Sequence, residues 1–594
     1  MSLIALALLT ITVMSAHPST MYGQEYHAPA SAPWWYRLAA VWAGQAGGLL
    51  LWCLETAIIS MALHPKRHPR AIAVLFLLQG CLLALTLSNM PFAPAQVSQG
   101  GINPLLLHPM MLIHPPMLFL GYALLSVPFA LTLAGLLQNT PERWRDEVRP
   151  WVLISWLALT AGNGFGAIWA YKSFGWGGFW SWDPVENTSF VPWMLATATI
   201  HGLYLSRSNH RWFRPTTICA LAGFISVLYG SFLARSGMLG NASVHAYTRG
   251  ESLYLWALGG LLLLAVLGAC ILLGIRWRNW AISQHPDTAT SWAPATSWGA
   301  IMFIGIAILV LIGMSLPIFG VIPATEVYNT VLLPTTLAML VALAWPQLKH
   351  LLKTPTRIAW FALCAGICFI IAAVFVFTGF PRGLGVISVL IQGLCAPTAL
   401  TVAVITTFLS FRQIIRKKRQ QPIPAALAHT GVSLLLIGTF LSGFGTQSEQ
   451  GFIPVGKTVH IAGQALTILH IHQSAPTSAT AELDMQAHTG MVSITQDTHF
   501  NTDLRRVWIN AFWWGDAYIV PLVILPEATR INDQDIPAGV MVEVSAKPGM
   551  RLVWWGIWCI AIGIFLAILH RRRAMLPANN QETIVKNLST AIFG

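Results

Sequence analysis

The feature that most constrains this 594-residue chain is a succession of apolar runs, each close to 20 residues long. At 1.5 Å rise per residue, about 20 helical residues cross a hydrocarbon core of about 30 Å, where only helices and closed barrels satisfy their backbone. Fourteen candidate spans can be read: 3–16, 36–62, 70–88, 112–137, 150–170, 186–206, 215–234, 252–275, 298–316, 327–347, 358–378, 385–410, 425–443 and 551–569. Composition agrees, because 55% of residues are hydrophobic and 9% charged, against about 25% charged in a soluble globular chain. Too little polarity remains to cover a water-facing surface. The first run is short and lacks a basic leader; it reads as a retained helix, with a cleaved signal peptide as the alternative.

The formal charge of +13 would raise the question of nucleic acid in a soluble protein. Here the basic residues fall in short runs between apolar stretches. Alternate loops and the tail hold 23 Lys and Arg, including Arg412, Arg416, Lys417, Lys418 and Arg419, whereas the opposite short loops hold Lys172, Arg235, Arg249 and Arg382. That asymmetry puts the first set in the cytoplasm, both termini with it. The long hydrophilic stretch 444–550 then falls outside. Its alternating segments, separated by Gly, Pro and Asn/Asp turns, predict a small β-rich domain. The expected fold class is an all-α polytopic membrane protein of about 14 helices with one β-rich outer domain. Its parts are an N-terminal helix and outer loop (1–35), a membrane core (36–443), the outer domain (444–550), and a last helix and tail (551–594).

The eight cysteines all lie in apolar segments and form no CxxC pair, which argues against a disulfide framework, a zinc site or a covalent haem site. No phosphate-binding glycine loop or nucleophile motif is present.

Residues 171–187, YKSFGWGGFWSWDPVEN, form the most unusual passage. An aromatic belt scatters its rings at helix ends. This loop instead packs Phe179, Trp180 and Trp182 between two glycines and an Asp-Pro turn, which suits a flat platform for a planar aromatic ligand. Asp183 and Glu186 equally suit the N-terminus of the following helix.

Histidines supply an independent signal, since an intramembrane ionisable residue is a functional candidate. His201 and His429 each lie five or six residues from the inner edge of a span, roughly 8–9 Å deep, and at a shared depth they can ligate one haem from two sides. On the outer side His114 and His245 share a level with the Trp-rich loop, and His108 is a rival to His114. Singly, each histidine reads as a neutral residue bonded to backbone or water. Two pairs at two matched depths turn the odds towards iron ligation. Arg235 and Arg37 are candidates for pairing with haem propionates, although both mark span boundaries. His460, His470 and His472 read as solvated strand residues, because no third metal ligand can be placed.

With these residues in view, WGGFWSWDPVEN at 176–187 resembles the tryptophan-rich "WWD" signature of the CcmF/NrfE family, haem-handling membrane proteins of cytochrome c maturation. The resemblance extends over nearly the whole chain, through Trp35-Tyr36-Arg37, His114-Pro115-Pro116, Arg235-Ser236-Gly237, Ser243 to His245 and Ala428-His429. It implies that His114 and His245 ligate a haem being delivered over a platform of Trp176, Trp180, Trp182 and Asp183. It likewise implies that His201 and His429 are axial ligands of a retained b-type haem. The implied activity is haem lyase within a complex, the substrate supplying the thiols. The implied partners are a CcmE-like haem chaperone, a CcmH-like thiol-reducing subunit and an apocytochrome c. The implied location is the bacterial inner membrane, with the active site facing the periplasm. Phe179 and Ser181 stand where family members commonly carry Trp and Phe. A haem exporter without ligation activity is the alternative reading.

Overall fold

The computed structural model describes residues 2–15, 19–28, 32–95, 101–103, 106–173, 175, 177–243, 245, 252–281, 292–378, 386–415, 422–475, 478–485, 488–497, 502–531 and 534–574. Three short helices open the chain: α1 (Ser2–Met14), α2 (Met21–Tyr26) and α3 (Trp34–Ala39). The membrane core follows as α4 (Gln45–Met61), α5 (Pro69–Ser88), α6 (Met110–Gln138), α7 (Pro141–Ser173), α8 (Pro184–Leu205) and α9 (Phe213–Arg235). It continues through α10 (Ser252–Arg276), α11 (Ala293–Ser315), α12 (Thr325–Leu351), α13 (Pro355–Thr378), α14 (Val386–Ile415) and α15 (Ile423–Gly445). After the strands comes α16 (Met550–Ala574).

The expectation of fourteen spans needs correcting. Among the described residues eleven helices are long and apolar enough to cross a membrane, and the bent pair Trp34–Trp42 and Gln45–Met61 makes a twelfth. The 13 residues of α1 reach only about 20 Å. Helix α8 falls short on polarity, carrying Asn187, Thr188, Ser189, Thr197 and Thr199, yet all five are buried as it packs between α9 and α11.

The 83° bend before α4 has a local cause. The Tyr22 hydroxyl donates to the Val41 carbonyl (2.8 Å) and accepts from Gly44 N–H (3.0 Å). A Cβ at Gly44 would lie 2.5 Å from the Tyr26 ring, and one at Gly47 would collide with the Val41 carbonyl, so only glycine permits this corner. Helix α6 carries Pro115 and Pro116 near its start. Proline at 115 has no N–H for the Met111 carbonyl. That oxygen instead accepts the Trp42 indole N–H at 2.7 Å, which ties the bent segment to the helix bearing His114. Beneath this, Trp52, Trp144, Trp280, Phe213 and Phe224 are almost fully buried and fill the centre of the bundle.

The strands form two main antiparallel sheets. The first contains β1 (Gln447–Pro454), β7 (Trp508–Ala511), β8 (Gly515–Leu525) and β11 (Gly539–Pro548), in the order β1-β11-β8-β7. The second contains β2 (Thr458–Ile461), β3 (Gln464–Ala475), β4 (Ser478–Met485), β5 (His488–Asp497) and β6 (Thr502–Arg506) in sequential order. A small hairpin joins β9 (Thr529–Ile531) to β10 (Gln534–Ile536). Ile453, Leu466, Val492, Ile519 and Val542 close the core between the sheets. Because β1 leaves α15 and β11 enters α16, the register Gln447↔Ala546 places both tethers at one edge of the first sheet.

Candidate functional site

The Trp-rich loop links α7 to α8, and its geometry is set by the start of α8. The Asp183 Oδ1 accepts from the N–H groups of Val185 (2.8 Å) and Glu186 (3.2 Å), while the Glu186 carboxylate accepts back from Asp183 N–H, completing a capping box. Glu186 also accepts from Ser181, through its backbone N–H (2.8 Å) and hydroxyl (2.9 Å). Trp182 adopts a left-handed backbone, φ +60°, held by Asn187 Nδ2 donating to its carbonyl at 3.0 Å. In consequence its ring leaves the loop's inner face. It stacks on Tyr328 of α12 (5.3 Å, 7° between planes) and its N–H donates to Asn329.

Under the loop lies a cavity of about 180 Å³. His114, Trp169, Phe179, Trp180, Arg235 and His245 are among the residues that line it. His114 Nδ1 donates to the Gly162 carbonyl at 2.8 Å, which leaves Nε2 as the ring's lone-pair nitrogen. The ring rests against α7 where a Cβ at Gly166 would lie 2.5 Å from its Cε1, so glycine is required there. Trp169 is the shared neighbour of the two outer imidazoles, 5.7 Å from His114 and 6.5 Å from His245 between ring centroids. Asn163 Oδ1 and Trp180 Nε1 are buried in the wall and bonded to no protein group.

His245 is held from outside the cavity. The Ser243 hydroxyl donates to Asp183 Oδ1 at 2.8 Å and accepts from His245 N–H at 3.1 Å, while His245 Nδ1 lies 3.4 Å from the same carboxylate oxygen. Burial alone would push the Asp183 carboxyl up and the His245 imidazole down. Facing one another they shift the other way, Asp183 below the ordinary carboxylate range and His245 above the ordinary imidazole range.

Arg235 is 6% exposed; its guanidinium donates to Ser231 Oγ at 3.4 Å and sits 5.8 Å above the Phe119 ring. Arg37 does not line the cavity. Nor does His108, which accepts Met110 N–H on Nδ1; burial, then the charges of Lys172 and Arg506, hold its imidazole down at about 4. Trp176 lies outside the described residues.

Deeper in the membrane, His201 Nδ1 donates to the Thr197 carbonyl at 2.8 Å, again leaving Nε2 with the lone pair. Its ring packs 5.3 Å from Phe303; His429 lies on α15.

The β-rich domain touches the loop directly. Gly177 has φ +70°, and a Cβ there would lie 2.5 Å from Lys547 Cε of β11. Lys547 is 7% exposed with Nζ 5.5 Å above the Tyr518 ring; burial, opposed by Glu543, pulls its ammonium down to about 8. Between about pH 8 and the ordinary 10.5 the unfolded lysine holds a proton that the folded one has lost, so stability rises with pH across that window. Lys547→Met is expected to abolish that rise and to stabilise the protein at neutral pH by up to roughly 3 kcal/mol, measurable by thermal unfolding in detergent.

The comparisons with known proteins converge. Residues 42–239 match the family model described as cytochrome C assembly protein. The chain is 28% identical to the cytochrome c-type biogenesis protein CcmF of Pseudomonas aeruginosa, over 91% of its own length and 85% of that protein's. It is 30% identical to the probable cytochrome c-type biogenesis protein NrfE of Escherichia coli, over 95% of its own length and 92% of that protein's. The chain belongs to the CcmF/NrfE family. A solved structure named cytochrome c haem lyase CcmF shares its fold, with a TM-score of 0.71 at 20% identity over 96% of this chain and 90% of that one.

Within this CcmF/NrfE chain the structure redistributes the residues singled out from sequence. Trp180, Arg235, His114 and His245 meet at one cavity; Trp182 turns away to α12, and Asp183 acts behind the wall as cap and histidine partner. Ser181 uses its hydroxyl to fix Glu186. Sequence reasoning missed Trp169, Asn163 and Gly166. Their signal was the glycine spacing at 162 and 166, which puts a groove and the Trp169 ring on one helix face.

Proposed function

We propose that this protein is a haem lyase subunit of cytochrome c maturation, holding the haem it delivers with His114 and His245 beneath the Trp-rich loop. The observation that carries the reading is the convergence of those two imidazoles, with Arg235 and Trp180, on one cavity. The donor set suits iron: His114 has its Nδ1 proton committed to a carbonyl, so Nε2 is the nitrogen left for a metal. Arg235 supplies a buried cation for a propionate. A cavity of about 180 Å³ is smaller than the roughly 300–1,000 Å³ of small-molecule pockets, so admitting a porphyrin requires the site to widen.

The reaction adds each substrate thiol across a haem vinyl group: an S–C bond forms, the thiol proton goes to the adjacent vinyl carbon, and no net oxidation occurs. The protein's part is positioning and the exclusion of water. His201 and His429 fit a retained b-type haem, since His201 also has Nδ1 committed and Nε2 left over. Such a haem, when bound, supplies or buffers an electron that keeps the delivered iron ferrous. The charge asymmetry of the loops supports an outer, periplasmic site, cytoplasmic termini and the bacterial inner membrane. A haem chaperone, a thiol-reducing subunit and an apocytochrome are the partners this activity needs.

The test is reconstitution. Purified protein with ferrous haem, reductant and an apocytochrome peptide bearing CxxCH is expected to yield covalent haem-peptide by mass spectrometry. Haem crossing proteoliposomes with no covalent product would identify an exporter instead.

Asp183→Asn separates the two jobs of that residue. Asparagine caps helices about as well as aspartate, so the fold is expected to keep its stability within roughly 0.5 kcal/mol. The charge facing His245 is lost, and outer-haem affinity is expected to fall about 10–100-fold. Haem titration followed by the Soret band reads the difference; unchanged affinity would leave Asp183 as a cap only.

A further inference from the structure

Strand register fixes which end of the first sheet faces the bilayer. Residue pairs Gln447↔Ala546, Lys547↔Asp516 and Pro548↔Gly515 put the start of β1, the end of β11 and the start of β8 at one edge. Ala511↔Asp516 adds the end of β7, so the β7–β8 hairpin turns at the edge from which α15 and α16 enter the membrane. The turn is closed by Phe512 N–H donating to Gly515 O at 2.8 Å and locked to the helix by Gly549 N–H donating to Trp514 O at 3.0 Å. Arg551, in the first turn of α16, donates from Nε to Phe512 O at 3.1 Å.

The tip itself is Phe512-Trp513-Trp514. Phe512 and Trp514 stack, 5.8 Å apart with 8° between planes, and thereby brace the turn. Trp513 is left 89% exposed, projecting from a domain whose other apolar side chains are largely internal. An indole costs free energy in water and is most stable where its apolar ring meets acyl chains and its N–H meets headgroups. The apolar span of α16 begins at Met550, one residue beyond Gly549, so the tip stands at that boundary. Trp555, 59% exposed and five residues into α16, extends the same aromatic level towards the hydrocarbon.

We propose that the β7–β8 tip is a membrane anchor, Trp513 inserting into the headgroup–acyl boundary of the leaflet on which the β-rich domain stands. The occupant is lipid, because the tip is continuous with a membrane span. Pinned there, the sheet that carries Lys547 and Tyr518 is held over Gly177 and the Trp-rich loop.

Benzoyl-phenylalanine placed at 513 in the full chain, in proteoliposomes of phosphatidylethanolamine and phosphatidylglycerol, tests this by photo-cross-linking. Val523 is the control: it is 49% exposed and eight residues along β8 from Gly515, roughly 27 Å from the edge at 3.4 Å per residue. A phospholipid adduct at 513 and none at 523 is expected. Adducts at neither position, or equal yields at both, overturn the anchor. A second measurement keeps Trp513 itself: in protein labelled with fluorotryptophan, the fluorine resonance missing from the Trp513→Phe spectrum is expected to broaden with doxyl lipid and to survive a water-soluble gadolinium chelate. The reverse pattern overturns the proposal.

Discussion

His114→Ala and His245→Ala each reduce covalent haem attachment to background, while the haem spectrum of the membrane pair persists. Changing groups that merely support a metal ligand costs about 10–100-fold, so removing the ligand itself is expected to cost at least roughly 100-fold. His114 is the sharper test because its surroundings are rigid. Its Nδ1 is committed to Gly162, and its ring fills the space against Gly166. Alanine therefore leaves a ring-sized gap, and added imidazole is expected to fill that gap and restore haem binding in part. A folding defect would not respond to imidazole. Gly166→Ala makes the complementary change, displacing the His114 ring while keeping the ligand, and is expected to lower haem affinity without rescue. Wild-type attachment by His114→Ala protein would remove that histidine from the site.

His201→Ala, and independently His429→Ala, are expected to eliminate the b-type haem absorbance of the purified protein and leave outer haem binding measurable. His201 lies within α8 and His429 within α15. The His201 carbonyl contact orients the ring along α8, and Phe303 supports its face. The measurement is the reduced-minus-oxidised spectrum with haem quantified per protein. Retention of the full b-type signal in either variant would end the assignment. Loss of that signal with unchanged attachment would keep the haem but remove its redox role.

The two sets of variants report on different depths, and the structure explains why one chain can separate them. Of the outer pair, His245 is positioned by loop contacts to Ser243 and Asp183, and His114 by the Gly162 carbonyl of α7; the inner histidines ride on helix interiors. Loss of the Asp183 carboxylate reaches the outer site directly through His245.

Much of this was legible without coordinates. Apolar run length reports local transfer free energy, which is why most spans and the β-rich segment could be read directly. The cap at Asp183 was legible for the same reason, since capping involves residues three positions apart. The errors were also local in origin. Helix α8 has low hydropathy because its serines, threonines and asparagine face neighbouring helices, and α1 is too short to cross.

What the sequence determined alone was a membrane-embedded chain and a Trp-rich loop opening α8, because each depends on composition and periodicity along one segment. The tertiary structure decided which of those groups meet. A left-handed backbone at Trp182 turns one expected platform ring towards Tyr328; Trp169, Asn163 and Gly166, 76 to 82 residues before His245, complete the wall; and β-sheet register brings Trp513 to the membrane edge. Convergence of this kind depends on helix packing and strand pairing between distant segments, and no local pattern encodes it.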